Sequence, residues 1–192
     1  VVSDATVVPQ LSYAEMLELS KHGAKVLQYR SVEYAARFQV PLRVCHSRDL
    51  EAKGTQISSV SRFNKSNPVA GIVLDRDQIR IQIKAPLSEL DYLQSLPDQL
   101  ARDSLDVDMY RQHQHMGSVF INFTVHLDNY HQALALVNNF SHAHPGLSTK
   151  VEKGCAKISL VGLSMKRHAH LASRVFSLLE LNAVKIDLFS LF

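Results

Sequence analysis

The chain has 192 residues, 46% of them hydrophobic and 20% charged, with a net charge of +3. That length holds one sizeable core or two smaller ones, and this balance of apolar and charged residues argues against a disordered chain. No apolar run reaches the length of a membrane span, no signal peptide opens the sequence, and no block of like charge offers a track for a phosphate backbone, so neither a membrane nor a nucleic acid is expected as partner.

Taken in order, Ser12 opens the first element. Its hydroxyl and the carboxylate of Glu15 have the spacing of a capping box, Met16, Leu17 and Leu19 follow as an apolar stripe, and Gly23 is a natural stop. A second helix is predicted over 31–38, ended by Pro41, and "PLRVCHS" reads as a strand. Cys45 within it and Cys155 far downstream are isolated, the pattern of two reduced structural thiols in a cytoplasmic protein. Residues 48–69 form a polar connector with one candidate strand at "TQISSV". In "QIRIQIK" Ile79, Ile81 and Ile83 alternate onto one face. Leu90, Leu93, Leu96 and Leu100 then recur at helical spacing, with Pro97 among them, so a helix here must kink or restart. "LDVDMY" is a strand, Met116-Gly117 a turn, and "SVFINFTVHL" a strand with Val119, Ile121, Phe123 and Val125 inward. Asp128 is positioned to cap a helix with the stripe Tyr130, Leu134, Val137 and Phe140, and "LSTKVEK" follows as a fourth strand. The order is βαββαβ, an α+β ferredoxin-like unit.

The pattern then repeats. "AKISLVG" reads as a strand, 166–181 as a helix and "VKIDLFS" as a strand. At an offset of 79 residues Ile79 falls on Ile158, Leu96 on Val175, Leu100 on Leu179 and Val107 on Ile186. Identical strand–helix–strand spacing marks an internal duplication. The second copy stops at Phe192, so its edge needs cover, for which "TQISSV" or a second chain is available.

"LSYAEMLELSKHGAKVLQYRSVEYAARFQVPLRV" resembles the segment that closes the catalytic domain of aspartate kinases, and "KISLVGLSMKRHAHLASRVFSLLELNAVKIDLFS" resembles the second of the two ACT domains that follow it. The resemblance implies tandem ferredoxin-like ACT units after a remnant of the amino-acid kinase domain. The remnant would be 1–47, the connector 48–69, the first ACT domain 70–152 and an incomplete second one 153–192. It also implies that the kinase body lies upstream. The family's Lys-Phe-Gly-Gly motif does not occur in this sequence, nor does a Gly-rich phosphate loop. No catalytic residue and no cofactor is therefore expected on this chain; ATP and Mg belong to the full aspartate kinase. The implied function is regulatory: lysine or threonine as effector, and a homodimer through the ACT domains. The alternative is an effector-insensitive ACT dimerisation module.

ACT domains typically place Asp-Lys-Pro-Gly between first strand and first helix, bringing backbone amides to the effector carboxylate. That loop falls here on Ser88-Glu89-Leu90-Asp91, which keeps none of those residues and offers no Gly. The family's Gln-Asn pair falls on Gln112 and His113. In the second copy Met165, Lys166 and His168 match, while Ala169 and His170 replace Pro-Gly. The resemblance thus makes Ser88, Asp91, Gln112, His113, Met165, Lys166, His168 and Asp187 the candidate effector-binding residues, with Asp91 or Asp187 for the ammonium. The pairs His113/His115, His142/His144 and His168/His170 lack the further ligands zinc requires and read as solvated loop histidines, so no metal is expected. "GSVFINF" has a faint likeness to an RNA-recognition strand, but Phe120 and Phe123 fall on opposite faces. Asp106 and Asp108 read as a solvated pair on one face of an edge strand.

Overall fold

The structure, a computed structural model, describes residues 6–49, 51–60, 68–162 and 169–190. The chain divides into two compact units, Val1–Leu74 with Ile158–Phe192, and Asp75–Lys157. No helix among the described residues is long and apolar enough to cross a membrane.

In the first unit, strand β1 (Gln10–Ser12) runs into helix α1 (Tyr13–Lys21) through the capping box. The Ser12 hydroxyl accepts from the Glu15 N–H at 3.2 Å, and the Glu15 carboxylate accepts from the Ser12 N–H at 2.7 Å. Helix α2 (Tyr29–Arg37) begins two residues before the predicted start. Strands β2 (Leu42–Val44) and β3 (Thr55–Ser58) complete a three-stranded sheet in the order β1-β3-β2, with β3 parallel to β1 and antiparallel to β2. This corrects the expectation that "TQISSV" covers an edge of the second repeat. Ile57 is fully buried in a core with Leu11, Tyr13, Met16, Val32, Ala35 and Ala70, and that burial decides where the strand pairs.

The second unit has the predicted βαββαβ order. It comprises β4 (Val69–Pro86) from Asp75 onward, a 3-10 turn (Leu87–Glu89), α3 (Leu90–Leu93), α4 (Leu96–Arg102), β5 (Val107–His115) and β6 (Ser118–His126). A second 3-10 turn (Leu127–Asn129), α5 (Tyr130–His142) and β7 (Ser148–Gly162) as far as Lys157 complete it. The sheet order is β5-β6-β4-β7, with β6 antiparallel to both neighbours given in register. Ile79, Ile81 and Ile83 of β4 and Val119, Ile121, Phe123 and Val125 of β6 face one core with Leu93, Leu96, Leu100, Val137 and Phe140 from the helices. The helix over 88–102 is interrupted as Pro97 requires: α4 restarts with Pro97 in its first turn, where a missing N–H costs little.

Four expectations are corrected here. Asp128 does not cap α5; it lies in the 3-10 turn, its carboxylate 3.2 Å from His126 Nδ1, and α5 begins after Asn129 without a side-chain cap. The buried stripe of α5 is Ala133, Leu136, Val137 and Phe140 rather than one through Leu134, because the 3-10 turn sets the helix phase. "LSTKVEK" and "AKISLVG" are not two strands but one, β7, which passes through Gly154 at φ 77°, a conformation glycine takes without strain. "VKIDLFS" is not a strand: residues 184–190 form no sheet, since a strand exists only with a hydrogen-bonding neighbour.

The duplication extends to backbone detail. Helix α6 (Ala169–Leu181) has both ends at the offset of 79 from the segment that opens at Leu90 and closes at Arg102. Beyond each end the chain turns through a left-handed residue, Ser104 (φ 51°) and Ala183 (φ 54°), again at that offset. The Leu105 N–H donates to Leu100 O at 3.0 Å, and the Val184 N–H to Leu179 O at 2.8 Å.

Candidate functional site

The turn that leaves β4 is fixed from two sides. Pro86 holds an extended φ of −58°, and the Leu87 N–H donates to Gly117 O at 3.0 Å, tying the turn to the β5–β6 hairpin. On its other side Glu89 Oε2 lies 2.7 Å from His144 Nδ1 just past α5. Tyr92 stacks on His144 (centroids 3.5 Å apart) and on Phe140 (4.2 Å), and its hydroxyl donates to Phe140 O at 3.2 Å. Burial, aided by the Glu89 charge, raises the Tyr92 pKa above its ordinary value, so this hydroxyl stays a donor.

Beside this turn lies an open cleft of ≈ 310 Å³, lined by Lys84, Pro86, Gly117, Ser118, Gly146 and Ser148 among others. The Lys84 ammonium stands 5.6 Å from the Phe120 ring centroid, and His113 stacks on the same ring at 5.1 Å. The β4–β6–β5 register creates this row, because Lys84 and His113 both lie opposite Phe120. Gly146 forms one wall. A Cβ there would be 3.5 Å from Pro86 and 4.0 Å from Glu89 Oε1, so a carboxylate oxygen lies near Gly146, although Glu89 does not itself line the cleft. A cation and two serines around one small opening, with a carboxylate near its Gly146 side, are groups that can answer both charges of a zwitterion.

Of the residues singled out from sequence, Ser88 lies in the 3-10 turn and Asp91 on α3; both are exposed and neither lines the cleft. Gln112 and His113 are consecutive on β5 and point to opposite faces, Gln112 across from Ile121 and His113 across from Phe120. Among the described residues of that group, His113 is the one that shares the Phe120 ring with Lys84, the two flanking it from β5 and β4. Asp187 belongs to the first unit, 3.1 Å from Lys185 Nζ. Met165, Lys166 and His168 lie outside the described residues. Lys84, Ser118, Ser148 and Glu89 were missed. Lys84 had one signal, since it ends "QIRIQIK" in the polar register opposite the isoleucines, and Glu89 had another, its place in the Ser88-Glu89-Leu90-Asp91 turn; the serines had none, because they open two separate strands that only the fold brings together. Asp108 is no solvated edge carboxylate either. It is the extra residue of a bulge between Val107 and Met109, and it pairs with Lys157.

No family model matches the sequence. The chain is similar to the aspartate kinase of Pseudomonas putida, 32% identical over 196 residues that cover 98% of this chain and 47% of that protein. Escherichia coli aspartokinase III, solved in complex with lysine and aspartate, matches all of this chain with 42% of its own, at a TM-score of 0.70 and 25% identity. The ligand-free regulatory subunit of aspartate kinase from Thermus thermophilus shares the fold over 65% of this chain and 83% of its own, at a TM-score of 0.59 and 21% identity. The chain spans about half the length of the curated relatives it matches.

Proposed function

We propose, from the premise that this chain belongs to the aspartate kinases as a C-terminal regulatory part, that it senses an end-product amino acid for an enzyme phosphorylating aspartate with ATP and Mg. In this reading lysine or threonine occupies the cleft of the second unit. Its carboxylate meets Lys84 and the hydroxyls of Ser118 and Ser148, and its ammonium meets the free oxygen of Glu89 rather than Asp91. The observation that carries the reading is an opening lined by Lys84, Ser118 and Ser148, with the Glu89 carboxylate near its Gly146 side, beside the turn where ACT domains take their ligands. Residues 1–47 are, in the same reading, the end of a kinase domain. The exposed Ile158, Leu178, Val184 and Phe189 are faces that a homodimer of ACT units covers.

A ligand shifts a regulatory equilibrium only through its differential affinity for two states, so binding comes first. Effector-induced thermal stabilisation tests it. Lysine or threonine should raise the melting temperature of the wild-type chain with rising concentration, as a ligand of the native state does. Lys84→Met should weaken that effect by roughly 1.5–3 kcal/mol of binding, the range for a hydrogen bond to a charged group. A second reading, an ACT dimerisation module that no longer senses amino acids, is favoured by one feature: the Ser88-Glu89-Leu90-Asp91 turn has no glycine to admit a ligand to its amides. It predicts no shift with either amino acid.

A further inference from the structure

We infer, on the basis of the effector reading above, that the cleft at Lys84 selects its ligand by side-chain charge. It takes an amino acid with a neutral side chain, such as threonine, and disfavours a cationic one, such as lysine, with Lys84 as the specificity-determining residue. Charge is one-sided around the opening. Lys84 is the one ionisable side chain in its lining; the rest are serines, glycines, a proline and an alanine.

The strand register adds to this bias. Residues two apart on a strand share a face, so Ser118, Phe120 and Asn122 of β6 stand on one side of the sheet. Lys84 lies opposite Phe120 from β4, and His115, His113 and Arg111 lie opposite Ser118, Phe120 and Asn122 from β5. The face on which the cleft opens thus carries two fixed cations and two imidazoles. Glu152, on the strand that Ser148 opens, is already paired with Arg80 and Lys150. Asp91, the acid that the sequence places beside the turn, is exposed on α3 and outside the lining, so it does not offset Lys84. Glu89 lies near Gly146, with its Oε2 2.7 Å from His144 Nδ1, and its Oε1 can answer one ammonium.

Any free amino acid spends that oxygen on its α-ammonium while its carboxylate meets Lys84. Lysine brings a second ammonium on a long flexible stem. Held near the opening, that ammonium is repelled by Lys84 and finds no acid in the lining; extended into water, it contributes nothing to binding. Threonine has no second charge. Its hydroxyl can exchange hydrogen bonds with Ser118 or Ser148, since each of these hydroxyls both donates and accepts.

The test is calorimetric titration of the 192-residue chain with threonine, with lysine and with norleucine, which has lysine's stem without its ammonium, at low and at raised salt. Threonine is expected to bind about tenfold more tightly than lysine, or better, the effect of one like charge a few ångströms away in a partly solvated opening. Norleucine should also bind more tightly than lysine, and the gap between these two should shrink as salt rises, as a charge effect does. Lys84→Gln should weaken threonine binding and narrow its advantage over lysine. Lysine binding as tightly as threonine, or norleucine binding no more tightly than lysine, overturns the inference and leaves the effector reading standing. An advantage for threonine that Lys84→Gln leaves unchanged overturns the role given to Lys84. Failure of all three amino acids to bind at millimolar concentration overturns the effector reading, and this inference with it. Should the variant bind too weakly to measure, the salt dependence of the lysine–norleucine gap in the wild-type chain decides alone.

Discussion

Arg80 and Glu152 show how one residue pair can set the acid limit of a unit. The Arg80 guanidinium, mostly buried, pairs across the sheet with Glu152, which Lys150 also approaches, Nζ 2.5 Å from its Oε1. The Lys150 hydrogen bond, against an opposing effect of burial, and then the Arg80 contact hold the Glu152 pKa below its ordinary value. A carboxyl whose pKa is lower in the folded state stabilises the fold above the unfolded value and loses that contribution as pH falls through the folded one. Glu152→Gln should therefore destabilise the chain near neutral pH, by no more than about 1 kcal/mol for a solvent-screened ion pair, through the lost charge opposite Arg80 and Lys150. The gap between variant and wild type should close as the solution is acidified below the ordinary carboxylate range. Denaturant unfolding at a series of pH values checks this; a gap that is constant with pH would show that packing, not ionisation, carries the pair.

Helix ends carry the argument at the next scale. Helices α1, α2, α4 and α6 close with the same backbone device, a left-handed residue followed by an N–H that reaches back five residues. Ala24 donates to Leu19, Val40 to Ala35, Leu105 to Leu100 and Val184 to Leu179. Only α1 uses glycine, Gly23 at φ 104°; the others place Gln39, Ser104 and Ala183 at φ 54°, 51° and 54°. Side chains with a Cβ are strained there. Ser104→Gly and Ala183→Gly, both at exposed positions, should each stabilise the chain by roughly 0.5–1 kcal/mol in thermal or denaturant unfolding, while Gly23→Ala should destabilise it by a similar amount. A neutral or destabilising Ala183→Gly would contradict the strain argument. These ends also mark what the sequence disclosed. The capping box at Ser12, the alternation of Ile79, Ile81 and Ile83, the break at Pro97 and the 79-residue repeat are all local patterns, and each was legible. The pairing of Thr55–Ser58, the phase of α5 and the sheetless 184–190 depend on which neighbour a segment meets in space, and no window of sequence contains that. The candidate site was the least legible part. Ser88 and Asp91 are at the turn but outside the cleft, and Gln112 and His113 are split by strand alternation, a consequence of register rather than of residue type.

At the scale of the whole molecule, kinship with the aspartate kinases runs along nearly all of the chain, while the chemistry proposed for it sits in one cleft of one unit. The βαββαβ order supplies the frame, and Lys84, Glu89, Ser118 and Ser148 supply charges and hydroxyls from the end of β4, the turn after it, the start of β6 and the start of β7. A free amino acid is small, so a site that binds it depends on a few correctly placed polar groups rather than on buried area. The measurement that bears most directly on this account is a calorimetric titration of the chain with lysine, with threonine and with both together, repeated on Lys84→Met. The account predicts saturable heat with at least one of the two at up to millimolar concentration, and a markedly weaker interaction in the variant. No heat from either amino acid with the folded chain, or binding that Lys84→Met leaves unchanged, would contradict it.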